Sequence, residues 1–305
     1  TNYGSHQDGS DWYPSCCCSY CEKLFGDDTG EEIPRKVDFD SKVFRRFVAW
    51  RYDKLIEFMH YIACRIKEKH PDAILDFNSY VTATTNWTFG HPLASFRLQE
   101  VDAVYFTETF RSLREVGLVA KIMRSTGTPF GHFRLFDELL RGFDQAPFPS
   151  GNATAIAGLA TMINGGAPCG GPFGELSFVN FEANKRVFSE YKKRDPYVSG
   201  ETVRYLALHF SQMNRDFRPS ELAKNTGKTD RNQYCIPDAI GAYELLNRTH
   251  VPLDLVLDEH LQPEKLRQYS VLFLSNSACL SDVHCDTIRD FVEQGISALA
   301  GRRIQ

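Results

Sequence analysis

The sequence lacks the features that mark several large classes of protein. No apolar run approaches the roughly 20 residues that a membrane-spanning helix needs. The opening stretch TNYGSHQDG has neither the basic nor the apolar region of a signal peptide. The formal net charge is -4, which provides no electrostatic reason to bind nucleic acid or an anionic membrane. We therefore expect neither of these as a partner, and among compartments the cytoplasm is the first choice.

Repeats and nucleotide-binding loops are also missing. No unit of about 20–50 residues recurs, and no segment has low complexity. The glycine-rich stretch GGAPCGGPFG lacks the Lys-Ser/Thr pair of a P-loop. The chain has 305 residues, of which 42% are hydrophobic and 24% charged. This is the composition of an ordinary soluble protein, and the length favours about two domains.

The cysteines do not have the pattern of a disulfide-stapled protein. There are nine, an odd number. Four lie together at Cys16, Cys17, Cys18 and Cys21. One tight cluster in a chain of this length argues against a disulfide framework. Cys64 lies in a helix-like apolar pattern and Cys279 ends a strand-like run, so both are expected to be buried thiols.

Strand-like and helix-like segments alternate along the first two thirds of the chain. Residues 41–69 have apolar residues at helical spacing, with Asp40 or Ser41 as the N-cap. Apolar strand-like runs follow and end at Asn78 and Phe106. A helix closed by Gly127 comes next, and residues 128–151 are predicted to be irregular. Strands separated by helices imply a parallel sheet with right-handed crossovers.

The alternation restarts near Ser199, which predicts two domains, 1–197 and 198–305. Strands are expected within 202–210, 251–258, 269–276 and 296–301, with helices between them. The stretch YSVLFLSN is nearly all apolar, as in a buried strand. The last helix is expected to be capped by Ser281 and closed by Gly295. The second domain is therefore predicted to be a smaller, doubly wound α/β domain.

The second domain carries a resemblance to a known family. Its segments VPLDLVLDEHL, VLFLSN and FVEQG, in this order, resemble the trimerisation domain of beta-galactosidases and related glycoside hydrolases. The resemblance implies a flavodoxin-like, glutamine amidotransferase-like fold that lacks amidotransferase chemistry. It also implies a homo-oligomer, with a trimer as the expected state.

The first domain resembles the later part of a (β/α)8 glycoside hydrolase barrel, or TIM barrel. CCCSYCEKLFGDDTGEEIP is similar to the Cys-x-Cys-x-x-Cys loop of those enzymes, which follows the fourth barrel strand. The resemblance implies that three barrel strands precede Thr1 and that the chain is a fragment. HQDG takes the place of the beta-galactosidase Asn-Glu pair and is closer to the strand-end Asp-Gly of alpha-L-fucosidase-like barrels. A barrel lacking three strands exposes unpaired strand edges, so we expect the chain alone to be poorly soluble.

Glycoside hydrolysis needs two carboxyl groups on opposite sides of the scissile bond. By its resemblance to the fucosidase-type nucleophile, Asp8 is the first candidate, and Glu108 is the candidate acid/base because it directly follows an apolar strand. Asp8 could equally form a simple Asp-Gly turn, and Glu108 a solvated charge or a salt bridge to Arg111. Asp11 is a weaker alternative to Asp8. The acids Asp137 and Glu138 fit the start of a helix better.

A sugar site also needs flat apolar faces and hydrogen-bonding groups. Residues of these types fall in the segments that follow the strands: Trp12, Tyr13, Asn78, Trp87, His91 and His132. Each alone is explained by ordinary loop packing, and together they favour an oligosaccharide, polysaccharide or other glycoside as the ligand.

No cofactor is expected for catalysis, but the cysteine cluster has the spacing of zinc thiolates. Cys16, Cys18 and Cys21 are the predicted ligands of a structural zinc, with Cys17 as a spare. In related enzymes a further cysteine comes from earlier in the barrel. The alternative is a set of free thiols.

Two other functions stay open. The first is a non-catalytic carbohydrate-binding or scaffold protein on a decayed hydrolase barrel. The second is an amidotransferase-like or stress-type hydrolase that acts through Cys279. No glycine-flanked elbow surrounds Cys279, and the nearest histidine in the sequence is His284 in the following helix.

Overall fold

A computed structural model describes residues 18–36, 38–79, 96–109, 113–134, 151–169, 178–198, 200–218, 237–295 and 297–300. In the first part of the chain the elements are α1 (Ser19–Thr29), α2 (Lys42–Lys67), β1 (Asp76–Ser79), β2 (Val104–Thr109), α3 (Leu113–Ser125), β3 (Phe130–Arg134), α4 (Gly151–Met162), β4 (Ala167–Cys169) and α5 (Phe178–Arg194). The strands form a 4-stranded sheet in the order β1-β2-β3-β4. Each strand thus pairs with its neighbour in the chain, and all three pairs are parallel.

The second part of the chain builds another parallel sheet. Its elements are β5 (Leu206–His209), α6 (Gln212–Phe217), α7 (Pro237–Arg248), β6 (Leu253–Val256), α8 (Pro263–Leu266), β7 (Val271–Leu274), α9 (Asp282–Glu293) and β8 (Ser297–Ala300). The strand order is β6-β5-β7-β8. The chain therefore adds strands on both sides of β5, which creates a switch point between β5 and β7. The predicted α/β class with parallel sheets is confirmed.

Local sequence explains where the longest helix begins. Ser41, rather than Asp40, caps α2, since its side chain accepts a hydrogen bond from the Phe44 amide at 3.3 Å. The side chains that α2 buries recur three or four residues apart, as an amphipathic helix requires: Phe44, Phe47, Val48, Tyr52, Ile56, Met59 and Ala63. Among the described helices, none combines the length and the apolar character that crossing a membrane requires.

One face of the first sheet is covered by helices. Tyr105 of β2 is fully buried and belongs to the same core cluster as Met59 of α2 and Ile122 of α3. On the alternate positions, Val104 and Phe106 are only half-buried, and Asn78 of β1 is exposed. Since successive residues of a strand point to opposite faces, the face with Val104 and Phe106 is the less covered one.

The two sheets share a core. The cluster that contains Tyr105 also contains Leu208 of β5, Leu255 of β6 and Tyr243 of α7. Helix α3 is hydrogen-bonded to the edge strand β6, since Ser125 donates from Oγ to the Leu255 carbonyl at 2.9 Å. Helix α3 therefore lies between the first sheet and the edge of the second.

A close approach between α4 and α5 depends on a residue without a side chain. A Cβ placed on the buried Gly158 of α4 would lie 2.4 Å from Cγ1 of Val187 in α5. Real Cβ atoms do not approach other atoms so closely. The glycine is therefore needed for packing, since its backbone is helical.

Four expectations from the sequence are wrong. Glu108 was expected directly after a strand ending at Phe106, yet β2 continues to Thr109 and Glu108 lies within it. Residues 128–151 were expected to be irregular, yet Phe130–Arg134 form β3, a strand of five residues too short for a clear alternation pattern. The cysteine segment was expected to be a loop, yet Ser19–Thr29 form α1, which buries Phe25 and ends at Gly30 with φ 72°. Cys64 is exposed because it lies one residue beyond the buried stripe of α2, which ends at Ala63.

Candidate functional site

The carboxyl edge of the first sheet contains three of the predicted site residues. Asn78 pairs with Phe106, and Glu108 pairs with Phe133 near the end of β2. His132 pairs with Thr107. Because paired residues share a face and successive residues alternate, Asn78 and Glu108 lie on the less covered face and His132 on the other. For Glu108 and His132 only the backbone is described. Other predicted residues lie outside the described residues: Asp8, Asp11, Trp12, Tyr13, Trp87, His91, Asp137 and Glu138.

The predicted zinc ligands are described in part. Cys18 is the N-cap residue of α1 and is exposed, while Cys21 lies in the first turn and contacts the apolar cluster of Phe25, Ile33 and Phe47. Cys16 and Cys17 lie outside the described residues. Over the residues that the structure describes, no group of three or more metal-binding side chains comes together. The zinc site stays a prediction.

The carboxyl edge of the second sheet carries a well-defined polar cluster. His209 ends β5 and is 1% exposed. Its Nε2 lies 3.1 Å from Oδ1 of Asp258, which follows β6, and its Nδ1 lies 2.6 Å from Oγ of Ser277, which follows β7. Three neighbouring strands thus bring these residues together at the switch point, where open α/β sheets commonly bind their ligands.

Electrostatics favours an ionised Asp258 in this cluster. Burial by itself would raise the pKa of Asp258, but hydrogen bonds from His209, Ser211 and the Met213 amide lower it overall. The Met213 amide donates to Oδ2 at 3.0 Å. In the tautomer with the proton on Nε2, the His209 ring donates to the carboxylate and accepts the Ser277 hydroxyl proton at Nδ1.

The hydrogen-bonded succession serine–histidine–aspartate, here Ser277, His209 and Asp258, is also that of a hydrolase triad. The surroundings of these residues, however, do not fit a triad. An acyl-transfer site needs backbone N–H groups that are ready to bind an oxyanion. Here the amides of Ala278 and Cys279 both donate to Oδ1 of Asn214, at 3.0 and 2.8 Å. The amide groups nearest to Ser277 are thus already used. The cluster therefore holds the loop after β7 in place.

The strained position after β7 also lacks a nucleophile. Asn276 has φ 59°, in the left-handed region, where a nucleophile elbow would carry its reactive residue. Asparagine tolerates this conformation, but its amide is not a nucleophile. Cys279 is half-buried, and burial raises the pKa of its thiol, which disfavours the reactive thiolate. The geometry therefore gives no support to an amidotransferase-like reaction at Cys279.

A second buried network lies next to this cluster. Arg215 of α6 donates from Nε to Oδ1 of Asp216 at 2.8 Å, and its guanidinium lies 4.6 Å from the centre of the Phe96 ring. Tyr52 of α2 donates its hydroxyl to Oδ2 of Asp216 at 3.0 Å. Burial raises the pKa of both Tyr52 and Asp216, while Arg215 opposes the shift in each. Helix α6 directly follows β5 in the chain. The network therefore connects the carboxyl end of β5 to the long helix α2.

These buried networks cannot be predicted from the sequence by motif, because their members have no motif spacing. His209 and Asp258 are 49 positions apart, and His209 and Ser277 are 68 apart. One sequence feature does indicate a polar site here: a polar run directly follows the apolar strand LALHF. Residues that follow a strand in this way lie at the carboxyl edge of a parallel sheet.

Comparisons with known proteins add no identity. No family model matches the chain, and a search of curated proteins finds no match. The fold defines the class, an α/β protein with two parallel sheets.

Proposed function

We propose that this chain is part of a glycoside hydrolase whose reacting carboxylates stand at the carboxyl edge of the first sheet. The observation that carries the proposal is the register of β1 and β2. It supports placing Glu108 on the same sheet face as Asn78, at the edge where parallel barrels present catalytic groups. This face is the less covered one, which agrees with the inner face of a barrel of which these four strands form only a part.

Strand order supports a barrel for the first sheet and a different architecture for the second. In β1-β2-β3-β4 the spatial order equals the chain order, as in a singly wound (β/α)8 barrel. The helices α2 and α3 pack on one face of this sheet. The order β6-β5-β7-β8 is that of flavodoxin-like folds. Both agree with the resemblance to a hydrolase barrel followed by a trimerisation-type domain.

In this proposal the residues have distinct roles. Glu108 protonates the glycosidic oxygen as the bond breaks, and Asp8 attacks the sugar or activates water. Asn78 hydrogen-bonds a sugar hydroxyl, as does His91. Trp12 and Trp87 stack on the C–H faces of the sugar rings. His132 lies on the other face of the sheet, away from Glu108 and Asn78.

The proposal includes a structural metal and an oligomer. Cys18 and Cys21 are spaced as Cys-x-x-Cys at the start of α1, so both thiolates can reach one zinc ion, with Cys16 as a third ligand. Such a metal would fix the segment that connects Asp8 to α1. A trimer through the second domain follows from the family resemblance.

The test is Glu108→Gln in the complete protein that carries this chain. We expect turnover to fall by a factor of about 10²–10⁴, since a general acid is lost, with little change in sugar affinity. The loss should be larger for a methyl glycoside than for a nitrophenyl glycoside, because nitrophenolate leaves without protonation. The matched control is Glu100→Gln, a surface residue that pairs with Arg97.

Two outcomes would contradict the proposal. Equal losses of turnover with the two leaving groups would remove Glu108 from the acid role. A wild-type protein that binds sugar but hydrolyses neither galactoside nor fucoside would favour the non-catalytic binding protein instead.

A further inference from the structure

A basic cleft lies along the edge strand β6 of the second sheet, next to the end of α3. Its volume is about 250 Å³, and its walls come from the end of α3, the edge strand β6, the segment before β5, and the α8 region. Four cationic side chains line it: Lys121, Arg124, Arg204 and Lys265. We call this site the basic cleft. It has no part in the proposed hydrolysis, so the inference below does not depend on that function.

The carboxylate in the wall of the basic cleft makes no ion pair with these cations within the described residues, although its charge opposes the lowering of the pKa of Lys121. Asp254 accepts hydrogen bonds at Oδ2 from the Thr202 hydroxyl at 2.7 Å and from the Tyr269 hydroxyl at 3.1 Å. Hydroxyl donors thus occupy one of its two oxygens. With four cations and one carboxylate, the walls carry a clear positive excess.

The cations themselves are bonded mainly to neutral groups. Lys121 donates to the Leu253 carbonyl at 3.0 Å, and burial lowers the pKa of its ammonium. Arg124 reaches two backbone carbonyls at 3.4 and 3.5 Å, which are weak contacts. Arg204 lies 3.9 Å from the exposed carboxylate of Glu201. Lys265 makes no side-chain hydrogen bond or ion pair with any described residue.

A structural role explains only part of this arrangement. Lys121 and Arg124 lie near the end of α3, where cations stabilise the negative end of the helix dipole. Arg204 and Lys265 come from other elements and turn toward the same space. Elsewhere on the described surface, lysines such as Lys54 and Lys193 pair with acidic neighbours. Of the four cations only Arg204 has an acidic partner among the described residues, the exposed Glu201 at 3.9 Å. Such a convergence suits a ligand that brings the negative charge.

We propose that the basic cleft binds a small ligand with an oxyanion group, either a phosphate or the carboxylate of a sugar acid. Arginine offers a planar fork of donors and lysine a point charge, and both suit phosphate and carboxylate oxygens. The volume lies just below the roughly 300–1,000 Å³ of sites for drug-sized ligands, so the ligand is small. Tyr269 adds a ring to the wall, while the Gln268 amide accepts from Arg204 and donates to the Glu264 carbonyl.

The test is calorimetric titration of the full chain at constant ionic strength, with three probes: inorganic phosphate, glucuronate and uncharged glucose. We expect saturable binding of phosphate or glucuronate and none of glucose. Lys265→Gln should weaken the binding roughly tenfold, the loss of about one charge-assisted contact. Arg124→Gln should do the same. The matched control, Lys185→Gln on the exposed surface of α5, should leave affinity unchanged.

Each outcome decides the proposal. Binding of glucuronate alone would support a sugar acid, and binding of phosphate alone a phosphate ligand. The absence of saturable binding of either anion in the millimolar range would overturn the proposal. So would an unchanged affinity in Lys265→Gln. Should Arg124→Gln not fold, Lys265→Gln decides, because Lys265 is exposed on a short helix and its loss does not disturb the core.

Discussion

The contact between α4 and α5 can be tested by adding one methyl group. Alanine is a better helix former than glycine by about 1 kcal/mol, so Gly158→Ala should stabilise α4 if only propensity mattered. In the folded chain, however, the new Cβ would lie 2.4 Å from Cγ1 of Val187. Val187 is 5% exposed and β-branched, so its side chain has one strongly preferred rotamer in a helix and little room to move.

The balance of these two effects decides whether Gly158→Ala raises or lowers the free energy of unfolding. Forcing an extra methyl group into a packed contact costs typically about 1–3 kcal/mol. Subtracting the gain of about 1 kcal/mol in propensity leaves a net destabilisation of up to roughly 2 kcal/mol. Gly241 of α7 provides a matched control, because a Cβ there has no atom within 4 Å. Gly241→Ala should therefore stabilise the protein by roughly 0.5–1 kcal/mol.

Urea unfolding followed by circular dichroism would give both free energies of unfolding. A second variant separates the steric cause from others: Val187→Ala should cost less in the Gly158→Ala background than in the wild type, because the clash is then relieved. The reasoning would be refuted if Gly158→Ala were as stabilising as Gly241→Ala. It would also fail if the two substitutions at positions 158 and 187 had strictly additive effects.

Three further predictions concern Tyr52, Asp258 and Cys279. Tyr52→Phe removes the hydroxyl that donates to Asp216 and should lower the free energy of unfolding by about 1.5–3 kcal/mol, whereas the exposed Tyr61→Phe should have almost no effect. The lowered pKa of Asp258 stabilises the fold above the unfolded pKa of about 3.9, and this contribution is lost as the pH falls through the folded pKa. Asp258→Asn should thus show a shallower loss of stability in acid than the wild type. Burial raises the pKa of Cys279, so iodoacetamide should label it more slowly than the exposed Cys285, as read by mass spectrometry.

Clear results would contradict each of these. Equal stability changes in the two tyrosine variants would mean that the hydroxyl of Tyr52 contributes nothing in its buried site. Identical acid profiles of Asp258→Asn and the wild type would mean that the carboxylate is not stabilised by its neighbours. Faster labelling of Cys279 than of Cys285 would restore the thiol chemistry that the geometry disfavours.

Local signals in the sequence located most elements correctly. Ser281 was expected to cap the last helix, and its Oγ does accept a hydrogen bond from the His284 amide, at 3.2 Å. Gly127 and Gly295 have positive φ angles of 75° and 79° where their helices were expected to end. These signals act within a few residues of the chain, so they can be recognised without knowledge of the fold.

The sequence-based predictions were wrong where an element is short, or where the tertiary environment decides whether a side chain is buried. β3 has five residues and includes Gly131, and it becomes a strand because β2 and β4 pair with it on both sides. The exposure of Cys64 depends on which side of α2 meets the core, and a shift of one residue changes it. Neither fact is contained in the local pattern alone.

The sequence by itself determined the α/β class and the parallel character of the sheets, because apolar periodicity, caps and glycines are local and additive. Only the tertiary structure decided the strand order β6-β5-β7-β8, the contact of His209 with Asp258 and Ser277, and the convergence of Lys121 and Lys265 on one cleft. Such contacts join residues that are far apart in the chain. They are selected by the packing of whole elements, and no short stretch of residues encodes that packing.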